Sequence, residues 1–208
     1  MCRMMFVVVL PLALLSGCLG LGGDAPEQKV WTVEPPAFDA APVRSMEGSG
    51  ALFSATRLGS VAVNAPYDRT QFVVRKPDGT VAFDHYNVFA APPSSLLRAP
   101  VQNYLRADGR LGHVVNQGSV VSSDAQVEVQ VKNLSLDSRE DGQLAACAAV
   151  SVDFVRTAHG PRTVAFSGTG TAAVDAQDRN FSRAFSQAFS KALDSAVQEA
   201  LGAHGAKK

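Results

Sequence analysis

The sequence predicts an α/β (α+β) domain in which a mixed, largely antiparallel sheet carries a crossover helix and a long C-terminal helix. Three observations support this class. Residues 126–136 alternate valines with polar side chains, which is the period of a strand with one wet face. Residues 76–79, Lys-Pro-Asp-Gly, form a turn between two β-branched runs. Residues 176–201 carry three phenylalanines at intervals of four, at 181, 185 and 189, which indicates an amphipathic helix.

Length and composition limit the class of protein further. At 208 residues the chain fits one domain of ordinary size with an extension. Charged residues make up 18% and apolar residues 46% of the sequence, which is typical of a globular protein. Lys plus Arg and Asp plus Glu both number 19, so the chain has no excess of positive charge with which to bind nucleic acid.

Residues 1–17 are typical of a bacterial signal peptide. Arg3 supplies the positive start, and the apolar run at 4–15 is too short to span a bilayer, which needs about 20 helical residues. Residues 15–18, Leu-Ser-Gly-Cys, resemble the bacterial lipobox, whose cysteine receives diacylglycerol before cleavage. We therefore predict that Cys18 becomes the acylated N-terminus. The alternative is an ordinary signal peptide that happens to contain a cysteine.

The acylated residue would fix the protein to a membrane. Two acyl chains already anchor a protein stably, and we expect no cofactor other than this covalent N-terminal lipid. Position 19 is Leu, whereas an Asp there resembles the inner-membrane retention signal, so we predict the periplasmic leaflet of the outer membrane. Residues 18–29 would form a flexible tether, residues 30–203 a single domain and residues 204–208 a tail. Cys147 would then be the one remaining thiol, packed as a small apolar residue.

The first half of the domain predicts short strands and one helix. Residues 30–33 suit an edge strand that ends at two prolines, with Trp31 in the core. Residues 61–63 form a strand, and residues 72–74 and 80–83 form a hairpin. Pro92 and the serines after it favour a helix start, with a serine capping free amides. A strand at 111–115 after this helix suggests a crossover to a parallel neighbour.

The second half predicts a meander of three long strands and the final helix. The strands occupy residues 126–136, 144–155 and 162–174, with turns at 137–142 and 159–161. The final helix carries one apolar stripe, which continues from its phenylalanines to Leu193, Val197 and Leu201. We expect this stripe to cover the sheet, although a stripe facing lipid or a partner remains the alternative. Gly202 is expected to end the helix.

Taken together, these features resemble the ABC-type transport auxiliary lipoprotein family, the PqiC-like proteins, over about residues 30–201. The resemblance is carried by three segments: VWTV at 30–33, VAV at 61–63 leading to PYDRTQFVVR at 66–75, and FAAP at 89–92. It implies a non-enzymatic accessory lipoprotein of an MCE/ABC-type lipid transport system. An MCE-domain protein and the ABC permease and ATPase would be its partners, and a homo-oligomer is compatible with the family.

The family motif also supplies the candidate partner-binding residues, namely Tyr67, Asp68, Arg69, Gln71, Arg75 and Phe89. Phe89 stands where the family pattern has a tryptophan. Aromatic and arginine side chains are common interface anchors, so a partner surface is one hypothesis. The other is local turn chemistry, in which the aspartate accepts backbone amides and the arginine pairs nearby. Phe83 and Tyr86, with Phe89, are expected to line the core rather than a lipid pocket.

Two further functions remain open from the sequence. One is a structural or regulatory envelope lipoprotein without a link to transport, and the other is a lipid carrier that uses the phenylalanine stripe. An enzyme is not expected, because Asp84-His85 lacks a G-x-S-x-G nucleophile elbow and the chain has no P-loop. The four histidines lack metal-ligand spacing, so no metal site is predicted. Residues 168–170, Gly-Thr-Gly, are interpreted as a strand bulge.

Overall fold

One mixed sheet organises the part of the chain that the computed structural model describes, which is residues 26–33, 51–157 and 163–205. Its strands are β1 (Lys29–Trp31), β2 (Ala55–Val63), β3 (Gln71–Arg75), β4 (Val81–Phe89), β5 (His113–Val115), β6 (Ala125–Ser138), β7 (Leu144–Arg156) and β8 (Thr163–Asp175). The helices are α1 (Pro93–Leu96), α2 (Arg98–Ala107) and α3 (Phe181–Gly205), with short 3-10 turns at Gly109–Leu111 and Gln177–Arg179.

These elements confirm the predicted class. The two longest pairings, β6 with β7 and β7 with β8, are antiparallel, whereas β2 lies parallel to both β5 and β6. The β3–β4 hairpin and the crossover from β2 through α2 to β5 are present, and β1 is an edge strand beside β4. The predicted signal peptide, Cys18 and the turn at 159–161 lie outside the described residues.

The sheet divides into two arms at β6. Strand β7 pairs with β6 along its whole length, so β2 and β3 share the opposite edge of β6. Strand β2 lies beside residues 125–131 of β6, and β3 lies beside residues 136–137. The two strands therefore follow each other along one edge, with a bulge in β6 between them. One arm continues from β2 to β5, and the other continues from β3 to β4 and β1.

Helix α3 covers one face of the sheet with the stripe that the sequence predicts. Phe181, Phe185, Phe189, Leu193, Val197 and Leu201 are all buried in one core cluster. Phe185 meets Phe72 and Phe89 at ring centroid distances of 5.1 and 5.0 Å. Burial of one such side chain contributes roughly 1.5–3 kcal/mol, so this stripe accounts for much of the stability of the fold. The stripe packs within the domain and does not face lipid.

Two glycines on β8 allow α3 to lie directly on the sheet. A Cβ on Gly168 would come within 2.6 Å of the backbone nitrogen of Ala200, and one on Gly170 within 2.7 Å of that of Ala196. The bulge predicted at residues 168–170 is therefore wrong. The irregularity of β8 lies opposite Phe154 and Val155 instead. The two glycines allow the helix to pack closely on the strand.

A polar network ties α2 and the turn after it to α3. The Tyr104 hydroxyl donates to Oδ1 of Asp194 at 2.6 Å, and burial, followed by this carboxylate, raises the pKa of the phenol. Arg110 binds Asp108 at 2.5 Å and reaches Oε1 of Gln198 at 3.3 Å. Hydrogen bonding to Asp108 raises the pKa of the Arg110 guanidinium. These groups are satisfied within the protein, and they fix the crossover against the C-terminal helix.

The predicted helix start at residues 92–95 is confirmed, since α1 begins at Pro93, but the predicted serine cap and the predicted end of α3 are wrong. No serine side chain caps α1, and its single turn is separate from α2. Gly202 does not end α3, which continues to Gly205. Nothing fills the space around a Cβ at position 202, and its backbone is not in the left-handed region, so the glycine gives no signal to stop.

Candidate docking surface

The motif that carries the family resemblance forms the connection between the two arms of the sheet. Residues 64–70 link the end of β2 to the start of β3 along the edge of β6. Asn64 keeps this connection on β6, because its N–H donates to the Val131 carbonyl at 2.9 Å and its side chain accepts from Gln130 at 2.8 Å. The Ala65–Pro66 peptide bond is cis, and the Tyr67 N–H donates a hydrogen bond to the Asn64 carbonyl at 2.8 Å.

Tyr67 and Asp68 are tied into the domain, each in a different way. Tyr67 is half-buried against the core. The Asp68 carboxylate accepts the backbone N–H of Ser94 at 3.0 Å, at the first turn of α1. An aspartate oxygen at this position satisfies one of the free amides of a helix start. Asp68 therefore supplies the cap that the sequence assigns to a serine, and it joins the motif to the crossover.

Arg69 stacks on an exposed aromatic ring. Its Nε donates to the Pro66 carbonyl at 2.8 Å, which fixes the guanidinium, and its Cζ lies 4.0 Å from the centroid of the Phe83 ring. This geometry is a cation–π contact. Phe83 remains 38% exposed. The surface here therefore carries an apolar ring with a planar cation stacked on it.

Gln71 and Arg75 mark the two ends of β3 on the face of the sheet opposite the helices. Alternate residues of a strand point to opposite faces, and Phe72 lies in the core. Gln71, Val73 and Arg75 therefore share the other face, which we call the open face. Arg75 forms an exposed ion pair with Asp137 at 3.8 Å, a contact worth at most about 1 kcal/mol.

Phe89 lies in the core, and no part of it is available to a partner in this structure. It is 3% exposed and its ring centroid is 4.5 Å from that of Phe72. Phe83 and Tyr86, by contrast, are 38% and 52% exposed, so their expected place in the core is wrong. Phe83 pairs with Val73, which puts it on the open face.

A bulge in β4 explains why two phenylalanines of one strand lie on different faces. Asp84 lies opposite Phe72, but Val88 lies opposite Gln71, so β4 has additional residues between these pairs. The Asp84 carboxylate holds them, accepting the N–H of Tyr86 at 2.8 Å and the side-chain amide of Asn87 at 2.7 Å. Strict alternation would place both phenylalanines on one face.

The open face continues from β3 over small side chains on β6, β7 and β8. A cavity of about 370 Å³ lies there, lined in part by Arg75, Asp137, Cys147 and Ala173. Burial, and then the nearby Asp137 carboxylate, raises the pKa of the Cys147 thiol to about 11. Cys147 is half-buried beneath this cavity, and its protonated thiol makes it a poor nucleophile at neutral pH.

Neither a metal cluster nor the Asp-His pair gives a competing site in the described part of the chain. No group of three His, Cys, Asp or Glu side chains within these residues is placed to hold a metal ion. Asp84, part of the Asp-His pair considered above, uses its carboxylate to hold the β4 bulge. None of the described helices combines the length and the apolar character needed to cross a membrane.

The fold and this surface define a two-layer α/β domain with one face covered by helices and one aromatic and arginine surface on the other. The sequence matches the profile of the ABC-type transport auxiliary lipoprotein component over residues 38–199. The chain therefore belongs to the ABC-type transport auxiliary lipoprotein family. No match was found among the curated proteins.

Two solved structures share the fold at low sequence identity, and a third matches with a TM-score below 0.5. A Xanthomonas campestris protein of the family DUF330 has a TM-score of 0.58 and 16% identity, with 89% of this chain and 94% of that one covered. A second, described as an uncharacterized protein, has a TM-score of 0.51 and 13% identity, covering 77% and 90% of the two chains. The PelC dodecamer from Paraburkholderia phytofirmans has a TM-score of 0.40 and 19% identity, covering 71% and 94%.

Proposed function

We propose that this protein is a non-enzymatic accessory lipoprotein of an MCE/ABC-type lipid transport system, held by acyl chains on Cys18 at the periplasmic leaflet of the outer membrane. It would bind a periplasmic MCE-domain protein, through which it would meet the ABC permease and ATPase. Membership of the transport auxiliary family supports the general role. The particular partner, the acylation and the membrane are parts of the proposal.

One observation carries the proposed contact, which is the stack of Arg69 on the exposed Phe83 ring. Binding energy at protein interfaces is concentrated in aromatic and arginine side chains that are already held in place. Arg69 is fixed by the Pro66 carbonyl, so little side-chain entropy would be lost when a partner covers it. We place the contact on Tyr67, Arg69, Phe83 and Arg75, with Gln71 at its margin and Asp68 as its support.

The lipid carrier hypothesis loses the observation that motivated it, because the phenylalanine stripe of α3 lies in the core of the domain. The family match favours a link to transport over an unconnected structural or regulatory role. Genes for a permease, an ATPase and an MCE protein next to the gene for this chain would support the transport assignment directly.

The test is retention of a purified MCE-domain protein by the lipidated full chain. We expect wild-type protein to retain it and the triple variant Tyr67→Ala, Arg69→Ala, Arg75→Ala to retain at least tenfold less. Arg156→Ala is the control, because Arg156 is exposed at the far end of β7. Equal retention by the triple variant would remove this surface from the proposal, and no retention by wild type would remove the partner.

The anchor is tested separately by membrane fractionation and mass analysis. Acylated Cys18 in the outer-membrane fraction is the expected result, with Cys18→Ser no longer carrying lipid. An intact, unmodified Cys18 in wild-type protein would contradict the proposed anchor.

A further inference from the structure

A cavity of about 490 Å³ lies between α3 and the end of β8, apart from the proposed docking surface. Its polar lining comes from the turn after β6, from the end of β8 and from the start and exposed side of α3. The charged and amide side chains in this lining are Arg139, Asp175, Gln177, Asn180, Arg183, Gln187 and Lys191.

The charges around the cavity do not balance. Among the lining residues that the structure describes, Asp175 is the one carboxylate, and Arg139 already binds it at 2.6 Å. Arg183 and Lys191 form no ion pair with any described side chain. The described lining therefore carries three cations, Arg139, Arg183 and Lys191, and one carboxylate.

The two uncompensated cations point along one side of α3. Arg183, Gln187 and Lys191 follow one another at intervals of four residues, and each interval advances about 6 Å along the helix axis. Arg139 lines the cavity from outside the helix, after the end of β6, and keeps donors of its guanidinium beyond the one that binds Asp175. Donors therefore converge on one volume from separate elements.

We propose that this cavity binds a phosphate group, carried either by a lipid headgroup or by a soluble phosphate compound. Phosphate oxygens match the arginine fork, and a lysine and amide side chains add single donors. A phosphate group presents oxygens in several directions, which suits a cavity with donors both on the helix and outside it. This site lies beyond the docking function and does not depend on it.

The experiment is isothermal titration of the lipidated full chain in neutral detergent. The probes are inorganic phosphate, glycerol 3-phosphate, dihexanoyl phosphatidylglycerol and dihexanoyl phosphatidylcholine, with a hexaglutamate peptide to represent an acidic protein segment. The variant Arg183→Gln with Lys191→Gln removes both uncompensated cations. The matched control, Lys132→Gln with Arg156→Gln, makes the same change in net charge at two exposed residues that do not line the cavity. Circular dichroism and thermal unfolding establish that both variants are folded.

We expect the cavity variant to bind phosphate at least tenfold more weakly and the control to stay within twofold of wild type. Rising salt should weaken binding, because the site is open to solvent. Tighter binding of phosphatidylglycerol than of the soluble probes would assign the site to a headgroup, and equal binding would assign it to a soluble phosphate. Absence of binding by every probe, or equal losses in both variants, would overturn the proposal. A hexaglutamate peptide that binds where phosphate does not would also overturn it, in favour of an acidic protein segment.

Discussion

The two faces of the sheet differ in what their aromatic side chains do. On the covered face, Phe72, Phe89 and Phe185 pack ring against ring with almost no exposure. On the open face, Phe83 meets a cation instead of another ring and keeps more than a third of its surface exposed. The covered face provides much of the stability of the domain, and the open face carries the proposed docking surface.

The largest expected effect comes from truncating an aromatic on each face in turn. Phe185→Ala leaves a cavity among buried rings and should lower the free energy of unfolding by about 3–5 kcal/mol. Phe83→Ala removes a partly exposed ring and one cation–π contact, and should cost about 1 kcal/mol or less. Urea unfolding of both variants measures the difference. Equal losses would contradict the division between the faces.

The second largest expected loss of stability comes from a substitution where α3 lies against β8. Gly170→Ala places a methyl group against the backbone of Ala192 and Ala196 and should destabilise the protein by about 1–3 kcal/mol, since the helix must move away. Gly118→Ala is the control, because nothing lies near a Cβ at that position. If both substitutions leave the midpoint of urea unfolding unchanged, α3 does not pack on β8 as described.

The partial burial of Cys147 on the open face should lower the reactivity of its thiol. Its raised pKa, about 11, keeps the thiol protonated at pH 8, and the thiolate is the species that reacts. Alkylation by iodoacetamide at pH 8 should be roughly tenfold to a hundredfold slower in the folded protein than in urea, since each pKa unit changes the thiolate fraction about tenfold. The folded rate should rise as pH approaches 11. Similar rates in both states would show that the thiol is not held protonated.

The smallest expected effect is a gain on the outer side of α3. Gly202 is exposed within the helix, and Gly202→Ala should stabilise the protein by about 0.5–1 kcal/mol, because alanine loses less backbone freedom than glycine. Thermal unfolding measures this gain. A lower midpoint would indicate that the helix does end at Gly202, as the sequence suggests.

The sequence predicts the covered face better than the open one. Six apolar residues of α3 repeat at helical spacing, and the β3–β4 turn has a local Pro-Asp-Gly signature, so both follow from short-range patterns. The place of Phe83 does not, because the bulge held by Asp84 interrupts the alternation. The cap of α1 comes from Asp68, 26 positions before Ser94, and such a distant partner has no local signal.

The sequence supplies only part of the proposed docking surface. The family motif contains Tyr67, Arg69 and Arg75, whereas Phe89 lies in the core and the exposed Phe83 is missed. The two glycines of β8 are ambiguous in sequence, because a bulge and a close helix contact both require a small residue. The position of α3 decides between these causes.

The division of the sheet at β6 has a mechanical consequence. In a protein held at Cys18 and bound by a partner at Arg69, tension would pass from β1 to β4 and β3, and also to the start of α3 through the contacts of Trp31 with Phe181 and of Thr32 with Ser182. Strand β1 joins β4 over three residue pairs, Lys29–Asn87 to Trp31–Phe89, so it is the weakest link on that route. Pulling would peel β1 from the sheet first and lengthen the reach of the anchor while the rest of the domain stays folded.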